Sequence, residues 1–313
     1  MKISVVIPTL NSEKNIGKCL ESFNAQTFPP YEIIVVDGKS ADSTTEIVEG
    51  FDNAKILICE KSGPGPARNL GVEKATGDLI FFSDSDCIAD KEVLEHHLKV
   101  YKSRTDIDGV MGSIHNWNSK NKVSEFVQKE IMASQWLRSL RPDGTVKYFH
   151  TGTYNFSIYR IKFLKWKFKE DPLLSEDTEL SIRVSNELRI IFEPRARVFH
   201  RHPSTVKELF KQRKKYGELF PKLLKYSNDT SFANDTLRFS ALRFLKFPED
   251  YLEKAILKDN RLLCKGCKIK NCKINSLNLG KEGISDKYLC RVVCLAFASG
   301  ILKQRNGLEF NWD

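Results

Sequence analysis

Two carboxylates, Asp84 and Asp86, stand one residue apart directly after the apolar run 79–82. Four consecutive apolar residues predict a strand that is buried on both faces. Open α/β sheets bind ligands beyond the carboxyl ends of their strands, so this pair is expected where ligands bind. Nearby carboxylates repel each other unless a cation lies between them, and Mg²⁺ is commonly held by one or two carboxylates together with substrate phosphates. The alternative is a solvated turn, in which aspartate is common.

A second group of acids lies in the segment Ser175-Glu176-Asp177-Thr178-Glu179. Serine is a good N-cap, and acids in the first turn of a helix are favoured by its dipole, so a structural role would explain them. A carboxylate can also act as a general base, because a hydroxyl is a poor nucleophile until its proton is taken. The residues alone do not assign that role to these acids.

The elements that position these acids alternate regularly over the first 86 residues. Apolar, β-branched runs at 3–8, 32–36, 55–59 and 79–82 predict strands, and helices are predicted between them. This order predicts βαβ units and a mostly parallel sheet, with Asp37 ending the second strand at the same edge as Asp84. The chain has no G-x-G-x-x-G after the first strand and no G-x-x-x-x-G-K-[ST], so dinucleotide and P-loop sites lack their motifs.

Further helices are predicted at 91–102, at 123–136 and at 206–217, where Gly217 should end the last of them. His96 and His97, on the first of these helices, are expected to be solvated rather than to bind a metal.

Four motifs, in this order and spacing, resemble those of the family 2 glycosyltransferases: Pro8-Thr9-Leu10-Asn11-Ser12-Glu13, Val35-Val36-Asp37-Gly38-Lys39-Ser40-Ala41-Asp42-Ser43-Thr44, Gly65-Pro66-Ala67-Arg68-Asn69-Leu70-Gly71 and Ser83-Asp84-Ser85-Asp86. The resemblance covers about residues 1–205. It implies a GT-A fold, which is an α/β fold with a mostly parallel sheet flanked by helices. It also implies a nucleotide-sugar donor, a divalent metal and inversion at the anomeric carbon by a carboxylate base.

The resemblance also implies roles for individual residues. Asp177 would be the base, Asp86 the metal ligand, and His200 a further ligand, with His202 as the fallback. A histidine ligand suits Mn²⁺ somewhat better than Mg²⁺. The loop from residue 8 to 13 would frame the nucleoside, and Asp37 would bind its nucleobase. Asp84 would lie near the ribose, and Arg68 would offset the negative charge of the diphosphate. The strand edge at Gly152 and Asn155 would line the acceptor side. The donor-binding residues implied are therefore Pro8, Thr9, Asn11, Glu13, Asp37, Arg68, Asp84 and Ser85.

The positive charge of the chain is concentrated near its C-terminus. Lys+Arg and Asp+Glu number 28 each in residues 1–202, but 22 and 12 in residues 203–313, which accounts for the net +10. We therefore predict a catalytic domain at 1–205 and a basic, mainly helical region at 206–313, which could contact an anionic membrane surface. The alternative to membrane contact is that this region simply has a solvated, lysine-rich surface. No nucleic-acid partner is expected.

The cysteines and the lack of long apolar runs indicate where in the cell the protein is expected. Cysteines 19, 59 and 87 are single and in apolar contexts, which favours reduced core residues and the cytosol. We expect neither a secretory signal nor a membrane span, hence a cytoplasmic protein, with contact at the inner membrane face as a further expectation. The role of the C-terminal cysteines, as metal or cluster ligands, free thiols or a disulfide, stays open; they are Cys264, Cys267, Cys272, Cys290 and Cys294.

Three functional hypotheses follow. The first is a glycosyltransferase that moves a sugar from a nucleotide-diphosphate donor to a hydroxyl of a glycan, lipid-linked or small-molecule acceptor. The second is a nucleotidyltransferase with the same metal-binding acids, although the segment 9–14 offers no Gly-rich, basic triphosphate loop. The third is a non-catalytic binding or assembly subunit.

Overall fold

The computed structural model describes residues 1–117, 121–137, 141, 143–146, 152–171 and 175–226. The chain divides into two compact units. Of the described residues, the first unit takes 1–117, 127–202 and 222–226 with the whole sheet, and the second takes 121–126 and 203–221. The predicted cysteine cluster and the helices expected beyond residue 226 lie outside the described residues, so the predicted domain boundary at 205 stays a prediction.

Strands and helices alternate through the first half of the chain, as the sequence predicts. The strands are β1 (Ile3–Thr9), β2 (Glu32–Asp37), β3 (Ala54–Ile58), β4 (Leu79–Phe82), β5 (Cys87–Ala89), β6 (Gly109–Asn116), β7 (Thr145–Val146), β8 (Phe156–Tyr159) and β9 (Ile190–His200). The helices are α1 (Ile16–Asn24), α2 (Thr44–Glu49), α3 (Pro64–Lys74), α4 (Val93–Ser103), α5 (Lys122–Leu137), α6 (Arg160–Trp166), α7 (Glu176–Arg183) and α8 (Val206–Tyr226). A 3₁₀ turn, Thr153–Asn155, precedes β8.

The described strands form one mixed sheet in the order β3-β2-β1-β4-β8-β6-β9-β5, with β7 paired to β9. The first four strands in the chain are mutually parallel, which confirms the βαβ units. Strand β8 joins β4 in antiparallel orientation, and β5 runs antiparallel to β9. The parallel half therefore aligns the ends of β1, β2 and β4 at one edge, while β5 and β9 bring a later part of the chain to the sheet.

Both faces of the sheet are covered by apolar side chains. Leu79 and Phe81 belong to a cluster with residues of α1 and α4, whereas Ile80 and Phe82 belong to a second cluster with residues of α3, α6 and α7. All four are fully buried. Successive side chains of a strand point to opposite faces, so a continuous apolar run is what a strand with two covered faces requires.

Helix α3 packs closely on the sheet because it carries a glycine at the contact. A Cβ built at Gly71 would lie 2.4 Å from Cγ1 of Val6 and 3.1 Å from Cγ2 of Val36. A larger residue would therefore push the helix off β1 and β2. The motif glycine at this position sets the distance between the helix that carries Arg68 and the strand ends.

Glu32 ties three segments together near the amino ends of the parallel strands. Its Oε1 accepts hydrogen bonds from Ser4 Oγ at 2.8 Å and from the backbone N–H of Thr76 at 2.7 Å. Burial alone would raise the pKa of Glu32, but the hydrogen bonds from Thr76 and Ser4 lower it to about 2. The ionised carboxylate therefore stabilises the fold at neutral pH.

Helix α8 extends past Gly217 to Tyr226, so the predicted end at the glycine is wrong. A single glycine weakens a helix by only about 1 kcal/mol, which the rest of the helix can offset. Among the described helices, none has the length together with the apolar character that crossing a membrane requires.

Candidate active site

The loops after β1 and β2 are hydrogen-bonded to each other at the carboxyl edge of the sheet. The backbone N–H of Asn11 donates to Ser40 Oγ at 2.8 Å, and Asn11 Oδ1 accepts from the N–H of Ala41 at 2.9 Å. Glu13 Oε2 accepts from the N–H of Ser43 at 3.3 Å. Asn11 and Glu13 therefore shape the segment predicted to frame the nucleoside.

Asp37 lies at the end of β2 and is almost completely buried. Its carboxylate accepts hydrogen bonds from the backbone N–H and the hydroxyl of Ser40. Nearby, at the end of β1, the hydroxyl of Thr9 is buried without a hydrogen-bond partner among the described residues. A buried polar group of this kind is rare in native structures, and a ligand is one way to satisfy it.

The loop after β4 reaches the β1 loop through Ser85, whose hydroxyl lies 2.8 Å from that of Ser12. Asp84, by contrast, points to α3. Arg68 Nη2 donates to Asp84 Oδ1 and Arg68 Nη1 to Glu176 Oε1, each at 2.6 Å. The structure thus joins the β4 loop, α3 and the first turn of α7 through one guanidinium.

The guanidinium of this bridge is buried, and its two carboxylates are partly exposed. The Arg68 side chain is 4% exposed, against 27% for Asp84 and 15% for Glu176. Burial alone would lower the pKa of Arg68, but Asp84 and Glu176 hold it above its ordinary value. Burial raises the pKa of Glu176, as does Asp177 beside it, while Arg68 acts against the rise. Arg68 is therefore already paired with two carboxylates, and its predicted role at the diphosphate stays a prediction.

Asp86 and His200 lie side by side, as predicted for metal ligands. His200 Nε2 is 3.5 Å from Asp86 Oδ2, and Nδ1 is buried without a hydrogen-bond partner among the described residues. Burial raises the pKa of Asp86; His200 opposes this shift and Asp84 adds to it. A divalent cation bound by Asp86 would relieve the repulsion between the two aspartates, and His200 Nε2 lies on the side of the ring that faces it. The residues at this position therefore fit a metal ion.

Two aromatic residues that the sequence analysis missed support this pair. The ring of Tyr154 stacks on His200 with 4.6 Å between centroids, and Trp117 donates its indole N–H to the carbonyl of Asp86 at 3.3 Å. Neither has a motif spacing relative to the aspartates. Only the pairing of distant strands brings them to the site.

Asp177 stands in the first turn of α7, next to Glu176. Ser175 is the N-cap residue, but its hydroxyl donates to Asp177 Oδ1 at 2.8 Å, and the backbone N–H of Thr178 donates to the same oxygen at 2.7 Å. The hydrogen bonds of Asp177 to described residues thus go to Oδ1. These hydrogen bonds hold the carboxylate in orientation, and Oδ2 accepts none of them.

Two sequence expectations about polar residues are wrong. His97 is fully buried, with its ring nitrogens 2.7 Å from Ser157 Oγ and 3.0 Å from Asn155 Oδ1. Burial lowers the pKa of His97 to about 4, although the Asn155 contact opposes it. Asn155 is also fully buried, and its amide donates to the carbonyls of Ser113 and Ala196, so it braces strands instead of lining an acceptor site.

His202, the fallback metal ligand, is buried, and its Nε2 lies 3.1 Å from Gln128 Oε1. The Asp86 pairing leaves His200 as the candidate.

Comparison with known sequences assigns the family. A sequence profile described as Glycosyl transferase family 2 matches residues 4–165. The chain belongs to glycosyl transferase family 2. The four motifs that suggested this resemblance lie within the matched segment, and the glycosyltransferase hypothesis is thereby confirmed at the level of enzyme class.

Two curated relatives match about two thirds of this glycosyltransferase. The dolichyl N-acetyl-α-D-glucosaminyl phosphate 3-β-D-2,3-diacetamido-2,3-dideoxy-β-D-glucuronosyltransferase of Methanococcus voltae is 29% identical over an alignment of 235 residues, and the match covers 69% of this chain and 71% of that protein. The probable glycosyltransferase YdaM of Bacillus subtilis is 31% identical over an alignment of 231 residues, and the match covers 69% of this chain and 54% of that protein. The match to YdaM thus spans about half of its length.

Among solved structures, the mannosyltransferase PcManGT of Pyrobaculum calidifontis, in complex with GDP-Man and Mn²⁺, has a TM-score of 0.64. It is 16% identical, and the alignment covers 98% of this chain and 88% of that one. This likeness confirms the predicted GT-A fold.

Proposed function

We propose that this family 2 enzyme transfers a sugar from a nucleotide-diphosphate donor to a hydroxyl acceptor with inversion of configuration, and that Asp177 is the general base. The observation that carries the proposal is the orientation of Asp177. One oxygen is fixed by Ser175 and Thr178, and the other is left to accept a proton. Glu176, the neighbouring acid, is paired with Arg68 and is therefore poorly suited to that role.

The reaction follows from this arrangement. The acceptor hydroxyl attacks the anomeric carbon while Asp177 Oδ2 takes its proton, and the bond from that carbon to the diphosphate oxygen breaks. A single displacement from the face opposite the leaving group inverts the configuration. General bases of this kind accelerate proton transfer by about 10²–10⁴-fold.

Asp86 and His200 would hold a divalent ion, Mn²⁺ or Mg²⁺, which stabilises the negative charge that develops on the leaving diphosphate. The donor of PcManGT, GDP-Man, occurs together with Mn²⁺ in that structure. This supports a nucleotide-sugar donor and a metal for the present chain as well.

The nucleoside is proposed to bind at the loops after β1 and β2. Pro8 and Thr9 end β1, and the Asn11 and Glu13 side chains hold the β2 loop. Asp37 is directly opposite Thr9 in the register of β1 and β2. The unpartnered Thr9 hydroxyl is the observation that supports a ligand here. Asp84 and Ser85, in the loop after β4, would contact the ribose side of the same donor.

We propose a glycan or a lipid-linked saccharide as the acceptor, at the cytoplasmic face of a membrane. The relative from Methanococcus voltae is named for a dolichyl-linked saccharide phosphate. In the second unit, α8 carries exposed lysines at 207, 211 and 215. Each basic residue near an anionic bilayer contributes about 1 kcal/mol to attachment. Sedimentation with anionic but not with neutral vesicles is the expected result; equal recovery with both would exclude electrostatic attachment.

A donor panel tests the proposed function. The purified protein is melted with UDP- and GDP-sugars, with and without Mn²⁺ or Mg²⁺, and release of nucleoside diphosphate is measured in parallel. A donor at 100 times its Kd stabilises the fold by about 2.7 kcal/mol. One donor should stabilise the protein and be turned over only when a metal is present. Asp86→Asn should abolish both effects.

Asp52→Asn is the matched control, since Asp52 is exposed in the turn before β3 and should behave like the wild type. If metal and every donor leave both the melting temperature and diphosphate release unchanged, the proposed function is wrong.

A further inference from the structure

A third metal-binding side chain lies beside Asp86 and His200. The Cys87 thiol, a carboxylate oxygen of Asp86 and a ring nitrogen of His200 all lie within 4.8 Å of one another. Cys87 Sγ is 3.9 Å from Asp86 Oδ1. Cys87 and His200 lie on two strands that are far apart in the sequence, and Asp86 lies in the loop before the first of them.

The sheet register explains the cluster. In the antiparallel pair of β5 and β9, Cys87 is directly opposite His200. Directly opposite residues of an antiparallel pair project from the same face with their Cβ atoms about 4.5–5.5 Å apart. Asp86 precedes β5 by one residue, so its carboxylate reaches the same position from the loop. Backbone pairing therefore brings Cys87 and His200 together, and the side-chain rotamers bring the three donor atoms within 4.8 Å of one another.

The size of the cluster suits a four-coordinate ion. Metal–ligand distances of about 2.0–2.3 Å place tetrahedral donors about 3.6 Å apart, so the three side chains would need to approach by about an ångström. His200 Nε2 faces Asp86, and the Asp86 side chain, which is 37% exposed, gives a route from solvent. Three protein ligands with an open fourth position are typical of catalytic metal sites.

We propose that Cys87 is a direct ligand of the divalent ion and that the site therefore prefers a thiophilic ion, Zn²⁺ or Co²⁺, to Mg²⁺. Thiolate ligands select softer metals, whereas carboxylate and water ligands suit Mg²⁺ and Mn²⁺. On binding, a metal–sulfur bond forms, the S–H bond breaks, and the proton leaves to the solvent. This inference rests on the metal centre of the proposed function and adds its third ligand and its metal preference.

Packing in the core is the competing explanation for Cys87, because the residue belongs to the apolar cluster that includes α1. Cys59 provides the comparison. It is also buried, but its thiol donates to the carbonyl of Lys61, and Cys59 belongs to none of the metal-binding groups found among the described residues. A property that depends on Cys87 and not on Cys59 therefore separates ligation from packing.

Cobalt absorption tests the proposal on the full-length chain. The parent protein for the experiment carries serine at the five C-terminal cysteines, so that they contribute no signal; these are Cys264, Cys267, Cys272, Cys290 and Cys294. The metal-free parent is titrated with Co²⁺, and thiolate-to-cobalt charge transfer is read in the near ultraviolet. The band should appear in the parent and in Cys59→Ala and be absent from Cys87→Ala.

Zinc competition provides the second measurement. Loss of an outer partner of a ligand already weakens metal binding 10–100-fold, so Cys87→Ala should lower Zn²⁺ affinity by at least about tenfold. Mg²⁺ affinity should change much less. His200→Ala provides a test that does not alter the thiol, and it should also remove the charge-transfer band.

The outcomes separate the two proposals. Co²⁺ binding that needs Asp86 but shows no thiolate band would overturn the role of Cys87 and leave the metal centre intact. A band that persists at full intensity in His200→Ala would show that the ion bound by the thiolate does not use His200, and it would overturn the three-ligand site. If the parent binds no metal and turns over its donor without one, the metal in the proposed function is wrong as well.

Discussion

Replacing Arg68 should destabilise the first unit strongly, because one guanidinium compensates two carboxylates. Its hydrogen bonds to Asp84 and Glu176 are both 2.6 Å long. A charged hydrogen bond contributes about 1.5–3 kcal/mol, and removing one partner of a buried pair costs about 3–5 kcal/mol because the other charge is left uncompensated. Since Asp84 is partly exposed, we expect Arg68→Met to lower the free energy of unfolding by about 3–4 kcal/mol.

Urea unfolding of the purified variants measures this value. The triple variant Arg68→Met, Asp84→Asn, Glu176→Gln should regain most of the loss, because no uncompensated charge remains. Lys61→Met breaks the exposed Lys61–Glu170 ion pair and is the matched control. It should change stability by at most about 1 kcal/mol.

The pH dependence of the Arg68→Met variant provides an internal check. Without the guanidinium, the folded-state pKa of Glu176 should rise further above its unfolded value, so the folded state binds more protons and gains stability as the pH falls. The deficit relative to wild type should therefore shrink between pH 7 and pH 5. A loss below 1 kcal/mol in Arg68→Met, or a triple variant less stable than the single one, would refute this account of the bridge.

Three further changes test other parts of the fold. The pKa of about 4 keeps the folded-state His97 neutral, while the histidine of the unfolded chain takes up a proton as the pH falls through 6.5. The free energy of unfolding, measured in urea titrations, should therefore fall by about 1.6 kcal/mol from pH 6.5 to pH 5. His97→Gln should remove this slope and His96→Gln should keep it, so equal slopes would contradict the assignment. Glu32→Gln should lower the free energy of unfolding by about 2–3 kcal/mol at pH 7. This deficit should vanish as the pH falls from 4.5 towards 2, through the depressed folded-state pKa of Glu32. A deficit that does not change with pH would contradict the stabilising role of the ionised carboxylate. Gly71→Ala should lower the free energy of unfolding by about 1–3 kcal/mol, because the added Cβ meets Val6. The control Gly17→Ala, whose Cβ would be 3.6 Å from its nearest neighbour, should be neutral or stabilising. Similar melting temperatures of the two variants would show that α3 can move.

The parallel half of the fold was predictable because its signals are local. The apolar run 79–82 indicated a strand covered on both faces, and the polar residues at 9, 37 and 84 indicated where strands end. Each of these features depends on residues next to one another in the chain. The sequence could therefore place Asp37, Asp84 and Asp86 at one edge of a sheet before any tertiary contact was known.

The contacts between distant segments were not predictable in this way. Arg68 and Glu176 are 108 residues apart, and nothing near either one indicates the other. The Cys87–His200 pairing depends on an antiparallel register that no local pattern specifies. For His97 a signal was present, since its neighbours on one face of α4, Val93 and Tyr101, are apolar and four residues away on either side. Helical spacing indicates the buried face of α4, and at His97 this signal outweighs the polar character of histidine.

The most direct test of the central claim compares Asp177→Asn with wild type at equal donor occupancy. Donor Kd is first measured by calorimetry for both proteins and for the control Asp52→Asn. Turnover of saturating donor with acceptor and metal is then measured. The account predicts that Asp177→Asn binds the donor as wild type does but loses about 10²–10⁴-fold in kcat, while Asp52→Asn loses nothing. Near wild-type turnover by Asp177→Asn would contradict the assignment of the base and with it the proposed mechanism.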